Sequence, residues 1–371
     1  MYVLQLCHDY KPPFLSVANQ YAALFEDTPF KVVTVYLKGE PKPEVIEASN
    51  SAEVIFLNYS SRQLRGLKRK QIADLKKLNN KFNFKFVLAH RYKALFIASH
   101  IPGVPCVGIH HAFGDYQRLT RRWYANKHRE RLFLLGVSDA VRDDMRSCLT
   151  KWDPSKIQTL YNRVDYELLK SQLIDRESAR KKLGLPLGKF VYANVGRLHP
   201  DKDQATLIKA FSQVIQKQPN SLLAIMGSGR LQNELEGLAK TLGIMDSVLF
   251  LGQVKEAAKY FKAFDSFVLS SDHEPFGMVL LEAMAAGLPI ISTDCGGARE
   301  VVSECGSLFP LGDDTALVNK MLEVQRFDSV MINQLVESMD KKVINNFSYT
   351  AVKDCFWQIP FVQQISGVSC Q

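Results

Sequence analysis

A chain of 371 residues, 46% of them hydrophobic, is long enough for two domains of ordinary size, and no apolar run reaches the roughly 18 residues that a membrane span needs. Seven scattered cysteines without a C-x-x-C pair argue against a disulfide framework or structural zinc site and for a reducing, cytoplasmic compartment. The net charge of +9 is uneven: Arg62–Arg131 holds 17 Lys/Arg and 3 Asp/Glu (17 − 3 = +14), and the rest of the chain holds 30 and 35 (−5). Such a basic half suits a phosphorylated acceptor or an anionic lipid surface. Nucleic acid is not expected, because no binding motif accompanies the charge.

Met1-Tyr2-Val3-Leu4-Gln5-Leu6-Cys7 lacks a basic n-region and a small-residue cleavage site, so it reads as a first strand and not as a signal peptide. Apolar, β-rich runs then predict strands at Tyr2–Leu6, Lys31–Leu37, Val54–Leu57, Phe84–Ala89, Val104–Ile109 and Leu132–Gly136. Helical patterns separate most of them, as at Gln63–Leu78, and Ser138-Asp139 reads as a cap for a helix over Ala140–Met145. A charged stretch bearing Pro and Gly, Tyr161 to Lys189, marks a linker. Further strands are predicted at Phe190–Val195, Leu222–Met226, Val248–Leu251, Ser266–Leu269 and Pro289–Ser292. This is an α/β pattern of two doubly wound domains, 1–165 and 166–345, which would bind a ligand in a cleft outside the carboxyl ends of their strands. The aromatic-rich remainder, 346–371, is expected to form a closing helix against the first domain.

Chemistry concentrates in the loops after these strands. The first strand runs into the polar loop His8-Asp9-Tyr10-Lys11. Pro105-Cys106-Val107-Gly108-Ile109-His110-His111 places two histidines at a strand end, of which only one can face a ligand. Gly196-Arg197-Leu198-His199-Pro200-Asp201-Lys202-Asp203 combines a glycine, which lets a ligand approach the backbone, with two cations able to grip phosphate. The competing reading is a plain charged loop with Lys202 paired to Asp201 or Asp203. Gly227-Ser228-Gly229 is half of a dinucleotide fingerprint with Gln232 in place of its third glycine, and a tight strand-to-helix turn explains it equally well. Gln253 and Val254 follow Gly252 at the equivalent place in the next unit and offer a base pocket.

The most informative stretch is Glu274-Pro275-Phe276-Gly277-Met278-Val279-Leu280-Leu281-Glu282. A carboxylate precedes a predicted buried helix, Met278–Ala286, and a second lies along it. The open N–H groups at the helix start favour an anionic group. Glu282 is too costly to bury alone, so it needs ribose hydroxyls or a lysine, whereas Glu274 is free to accept from sugar hydroxyls. A retaining glycosidase could also use two carboxylates, but the phosphate-binding features would then serve nothing.

Taken in this order, these motifs resemble glycosyltransferase family 4, retaining enzymes of the GT-B fold, along essentially the whole chain. Val137-Ser138-Asp139-Ala140-Val141 and Tyr161-Asn162-Arg163-Val164-Asp165 add to the likeness. The resemblance implies two Rossmann-like domains and transfer of a hexose from a nucleotide diphosphate sugar, UDP-linked in preference to GDP-linked. It implies a glycan or glycolipid acceptor, as in lipopolysaccharide core or surface polysaccharide synthesis. Arg197 and Lys202 would hold the diphosphate beside Gly196, Gly227 and Gly229, and Gln253 and Val254 would flank the base. Glu282 would accept from the ribose, and Glu274 would contact the sugar. The backbone of Phe276, Gly277, Met278 and Val279 would cradle sugar and phosphate, and His111 would be the active-site histidine, with His110 the fallback. No metal or other cofactor is implied, and the sequence has no D-x-D element. Where many members carry Gly-Gly after the first strand, this chain has His8-Asp9-Tyr10-Lys11-Pro12, so Asp9 or Lys11 would take over those contacts. A cytoplasmic protein peripheral on the inner face of the membrane is expected. A nucleotide-sugar epimerase of the same architecture is the alternative.

Overall fold

The predicted strands recur in a computed structural model, which describes residues 1–11 and 14–367. The chain divides into two units: Met1–Arg163 with the chain from Thr350 onward, and Val164–Tyr349. The first unit contains β1 (Tyr2–Cys7), β2 (Lys31–Tyr36), β3 (Glu53–Phe56), β4 (Phe84–His90), β5 (Cys106–His110), β6 (Leu132–Gly136) and β7 (Ile157–Thr159). The second contains β8 (Phe190–Val195), β9 (Ser221–Met226), β10 (Val248–Gly252), β11 (Ser266–Leu269), β12 (Ile290–Thr293) and β13 (Ser307–Phe309).

All pairings are parallel, in the orders β3-β2-β1-β4-β5-β6-β7 and β10-β9-β8-β11-β12-β13. Parallel sheets must bury both faces under helices, which is why β5, β6 and β9 are buried along their whole length. Each order reverses once, between β1 and β4 in the first unit and between β8 and β11 in the second. At such a switch the following loops diverge to opposite faces and leave a crevice at the strands' carboxyl ends. The loops after β1 and β4, and after β8 and β11, stand at these switch points.

The chain end returns to the first unit, where Phe356, Phe361, Val362 and Ile365 share a core with Val3, Phe25, Phe30 and Phe86. Trp357 stacks on Phe30 at 5.8 Å and donates from Nε1 to the Leu24 carbonyl at 2.9 Å. This region is two helices, Tyr349–Gln358 and Pro360–Ser366, not one, because Pro360 cannot continue the first. Other boundaries also move. The helix expected at Gln63–Leu78 is Arg69–Phe82, and Lys68 before it holds a left-handed φ of 54°. The strand expected from Val104 begins at Cys106, after Pro105. β7 and β13, three residues each, were missed because so short a run shows no alternation.

Candidate active site

In the second unit, β8 leads through Gly196 and Arg197 into a single turn, Pro200–Lys202, and then the helix Gln204–Lys217. Asp203, at a left-handed φ of 40°, caps that helix by accepting from the Thr206 N–H at 3.4 Å, and it also accepts from Thr206 Oγ1 at 2.7 Å. A non-glycine residue in this region is strained, and such strain concentrates at functional sites. Lys202 Nζ lies 2.7 Å from Glu274 Oε2, the two side chains being 16% and 11% exposed. The strands on either side of the switch thus contribute one cation and one carboxylate to a single buried pair. The Ser270 hydroxyl donates to the Lys202 carbonyl at 2.9 Å, and the Asp272 N–H donates to the Asp201 carbonyl at 3.1 Å, tying the two loops together.

One competing reading is removed here, and one expectation changes. Lys202 pairs with neither Asp201 nor Asp203, since Asp201 engages Arg197 at 3.4 Å and also His199. Glu274 is not free, because the Lys202 ammonium holds it. Arg197 also differs from Lys202 in setting: its side chain is 72% exposed and stands on the wall of a separate cavity of about 240 Å³.

That cavity gathers Gly196, Arg197, Gly227, Gln253 and Val254 from the ends of β8, β9 and β10. It is smaller than the roughly 300–1,000 Å³ of whole small-molecule sites. Gly227, at φ +143°, lies so close to the β8 loop that a Cβ there would stand 1.8 Å from the Gly196 carbonyl oxygen. Gly229 does not line the cavity: a Cβ on it would be 2.3 Å from the Leu198 carbonyl oxygen, so this glycine serves loop packing.

The helix after β11 runs Met278–Ala285 and starts from Gly277, whose φ of +97° disfavours any other residue. No side chain caps it, and the N–H groups of Gly277, Met278 and Val279 meet no acceptor among the described residues. Phe276, buried edge-to-face on Phe347 at 5.5 Å, fixes the angle of entry. Glu282 lies one turn beyond Met278 on the same side of the helix. It is half-buried, its carboxyl has no hydrogen bond or ion pair among the described residues, and burial pushes that carboxyl up to about 7. The lysine partner considered from sequence is therefore not there.

The first unit's switch point carries a second constellation. His8, His90, Arg91, Lys93, His111 and Arg121 surround a cavity of about 330 Å³. The adjacent histidines part company: His110 is fully buried between Asp115 (Nδ1–Oδ2, 2.7 Å) and the Tyr116 hydroxyl (3.2 Å), so its role is structural. His111 lines the cavity, with Nε2 3.2 Å from His90 Nδ1. Burial, then the neighbouring His90 and Arg91, hold the His111 imidazole well below its ordinary range, and burial lowers His90 to about 3. This environment favours the neutral form of both rings. His90 and Arg91 escaped the sequence reading, although the end of a strand beside β1 was their signal. Arg91 also holds a strained φ of 71°. Asp9 accepts from the Lys11 N–H at 3.3 Å and acts electrostatically on His8 and Arg91, but neither Asp9 nor Lys11 is among the cavity walls. Pro12 of the same loop lies outside the described residues.

Among the described residues no group of three or more His, Cys, Asp or Glu could hold a metal ion, and no helix is long and apolar enough to cross a membrane. Residues 175–333 match the family model described as glycosyl transferases group 1. Over 93% of both chains the protein is 28% identical to the UDP-Gal:alpha-D-GlcNAc-diphosphoundecaprenol alpha-1,3-galactosyltransferase of Escherichia coli. The lipopolysaccharide core biosynthesis glycosyltransferase LpsE of Rhizobium meliloti is 30% identical over 182 residues, 48% of this chain and 52% of that one. Anabaena Alr3699/HepE, solved with UDP-glucose, superposes with a TM-score of 0.78 at 22% identity, covering 99% of this chain and 100% of that one. Two doubly wound parallel sheets give this chain the GT-B fold, and the chain is a glycosyltransferase whose residues 175–333, which hold the Lys202–Glu274 pair, match the group 1 model.

Proposed function

We propose that the protein is a retaining hexosyltransferase of family 4 that moves a hexose from a UDP-sugar to a glycan or glycolipid acceptor in lipopolysaccharide core or surface polysaccharide synthesis. The observation that carries this reading is the Lys202–Glu274 pair, 2.7 Å apart at the switch of the second sheet. The names of similar proteins support it: the Escherichia coli relative is a UDP-galactose enzyme, HepE was solved with UDP-glucose, and LpsE is a lipopolysaccharide core enzyme.

In this reading the nucleobase enters the cavity beside Gln253 and Val254, and the ribose hydroxyls donate to Glu282. The diphosphate meets the free N–H groups of Met278 and Val279, with Arg197 at its edge. When the bond from the sugar C1 to the phosphate oxygen breaks, negative charge grows on the diphosphate, and the Lys202 ammonium is already fixed nearby to stabilise it. Glu274 orients that ammonium and contacts the sugar. Because it is paired with Lys202, it is poorly suited to act as a nucleophile. The acceptor oxygen bonds to C1 on the face the phosphate leaves, and its proton passes to the departing phosphate. His111, on the wall of the first unit's own cavity, serves as the active-site histidine in this reading.

Metal is not needed to offset the charge, so excess EDTA is expected to leave turnover within about twofold of the untreated rate. A loss that Mg²⁺ or Mn²⁺ restores would count against the Lys202 role. Donor choice is tested by thermal shift against UDP-, GDP-, ADP- and TDP-hexoses. A ligand at 100 times its Kd stabilises by about 2.7 kcal/mol, and a UDP-hexose is expected to give the largest rise in Tm. Conversion of a UDP-hexose to its epimer without acceptor would favour the epimerase, and an inverted anomer in the product would exclude retention. We place the protein in the cytoplasm, with its basic unit against the anionic inner face of the membrane. Vesicle binding that high salt leaves unchanged would contradict this.

A further inference from the structure

Part of the first unit's excess charge lies around an aromatic pocket that the reaction as described does not use. Lys68, Tyr92, Phe96, Leu119, Trp123 and Tyr124 are among the walls of a cavity of about 680 Å³, larger than either cavity above. Phe96 and Tyr124 pack with ring centroids 4.8 Å apart, and Lys68 Nζ lies 4.9 Å over Phe96. At the mouth, Leu119 and Trp123 are 69% and 63% exposed, and neighbouring Leu67 is 67% exposed. Large apolar side chains grouped in this way are unusual on a surface with no partner.

Charge around the pocket is of one sign. Lys68, Lys93, Arg118 and Arg121 line it, and no Asp or Glu does. Arg121 is paired with Asp115, but Lys68, Lys93 and Arg118 have no ion pair among the described residues. Burial and the neighbouring Lys93 lower the Lys68 ammonium, and Lys93 is lowered by burial and then by Lys38 and Arg121. Lys68 and Lys93 crowd one another, and neither has a carboxylate partner among the described residues. Position supplies the rest of the argument, because Tyr92, Lys93 and Arg121 line both this pocket and the His111 cavity. The surface therefore runs in a fixed order: apolar aromatic pocket, shared cations, then the cavity of His111.

We propose that this pocket holds the hydrocarbon chain of a lipid phosphate or diphosphate acceptor, with Lys93, Arg121 and Lys68 on its phosphate, so that the attached sugar reaches the His111 cavity. This rests on the reading of the protein as a transferase with a glycolipid acceptor, and it names the part of the acceptor that the enzyme grips. Aromatic walls take a flexible chain without demanding one shape, and the cations choose chains that end in phosphate. Arg121 keeps its place through Asp115 and its position 4.6 Å over the Tyr92 ring.

The test is calorimetric binding to the full chain with three probes: farnesyl diphosphate, farnesol and inorganic pyrophosphate. Farnesyl diphosphate is expected to bind at least tenfold more tightly than either of the others. The double variant Leu119→Glu/Trp123→Glu, changed at exposed positions, should lose at least tenfold for farnesyl diphosphate and little for pyrophosphate. Equal affinity for farnesyl diphosphate and pyrophosphate would overturn the proposal, leaving only an anion patch. So would binding to anionic vesicles that farnesyl diphosphate does not displace, which would make the surface a membrane contact. The Tm rise with UDP-glucose, measured on the same samples, separates the two readings. If it persists while farnesyl diphosphate fails, the transferase stands and the pocket proposal falls. If it is absent from wild type while farnesyl diphosphate binds, the nucleotide-sugar reading is the one at fault.

Discussion

Lys202→Ala is expected to lower kcat by about 10²–10³-fold while changing the Kd of a UDP-hexose less than about tenfold, the signature of a group that acts mainly in the transition state. In the proposed binding mode the ground-state diphosphate charge is shared with the open N–H groups of the helix Met278–Ala285, which remain in the variant. Only as the C1–O bond breaks does extra charge develop, and only a fixed cation beside it meets that charge without reorganisation. The substitution also strips Glu274 of its partner in a site where both side chains are mostly buried. Breaking a buried pair costs up to about 3–5 kcal/mol, and the residual exposure here reduces that figure. A stability loss could therefore pass for a catalytic one. Lys202→Ala/Glu274→Gln separates the two, since it removes the stranded charge: its Tm should return toward wild type, whereas kcat stays low. A single variant that folds and retains kcat within about threefold would remove Lys202 from the chemistry.

How far the sequence foretold this site depends on which interactions are local. The buried parallel strands were legible because both faces are covered and their apolar runs are nearly continuous, so Leu132–Gly136, Phe190–Val195 and Ser266–Leu269 were read to the residue. The helix start at Gly277 was legible for the same local reason, a Pro-Phe-Gly entry before an apolar run. Pairings across the switch points were not. Lys202 and Glu274 are 72 residues apart, and nothing local to Lys202 ranks that partner above Asp201 or Asp203. His90 was invisible by the same token, since its partner His111 comes from another strand 21 residues away. Gly229 misled in the opposite direction: a glycine in a phosphate-loop pattern proved to be there for the Leu198 backbone, a constraint that lies in a different loop.

Glu282→Gln is expected to abolish a pH dependence of donor binding that wild type should show. Burial without a partner pushes this carboxyl up from 4.5 to about 7, so near neutral pH a substantial share of the free protein carries it protonated. The folded chain thus holds this proton more tightly than the unfolded chain does. The favourable contribution is complete below about pH 4.5 and is lost as pH rises through about 7. At pH 8 the uncharged amide should therefore leave the free variant more stable than wild type, by at most roughly 3 kcal/mol at 1.36 kcal/mol per pKa unit. Donor binding works the other way. In the proposed binding mode ribose hydroxyls donate to the ionised carboxylate and favour it, so a UDP-hexose should bind more tightly at pH 8 than at pH 6 and should release a proton. The intact pyrophosphate diester does not titrate in this range, so the protein is the source. A hydrogen bond to a charged group contributes about 1.5–3 kcal/mol, and the variant should bind about 10–100-fold more weakly at pH 8. Calorimetry in buffers of different ionisation enthalpy reads both affinity and proton release. If wild-type affinity is flat from pH 6 to 8, or the glutamine variant binds as tightly as wild type, Glu282 is not the ribose acceptor.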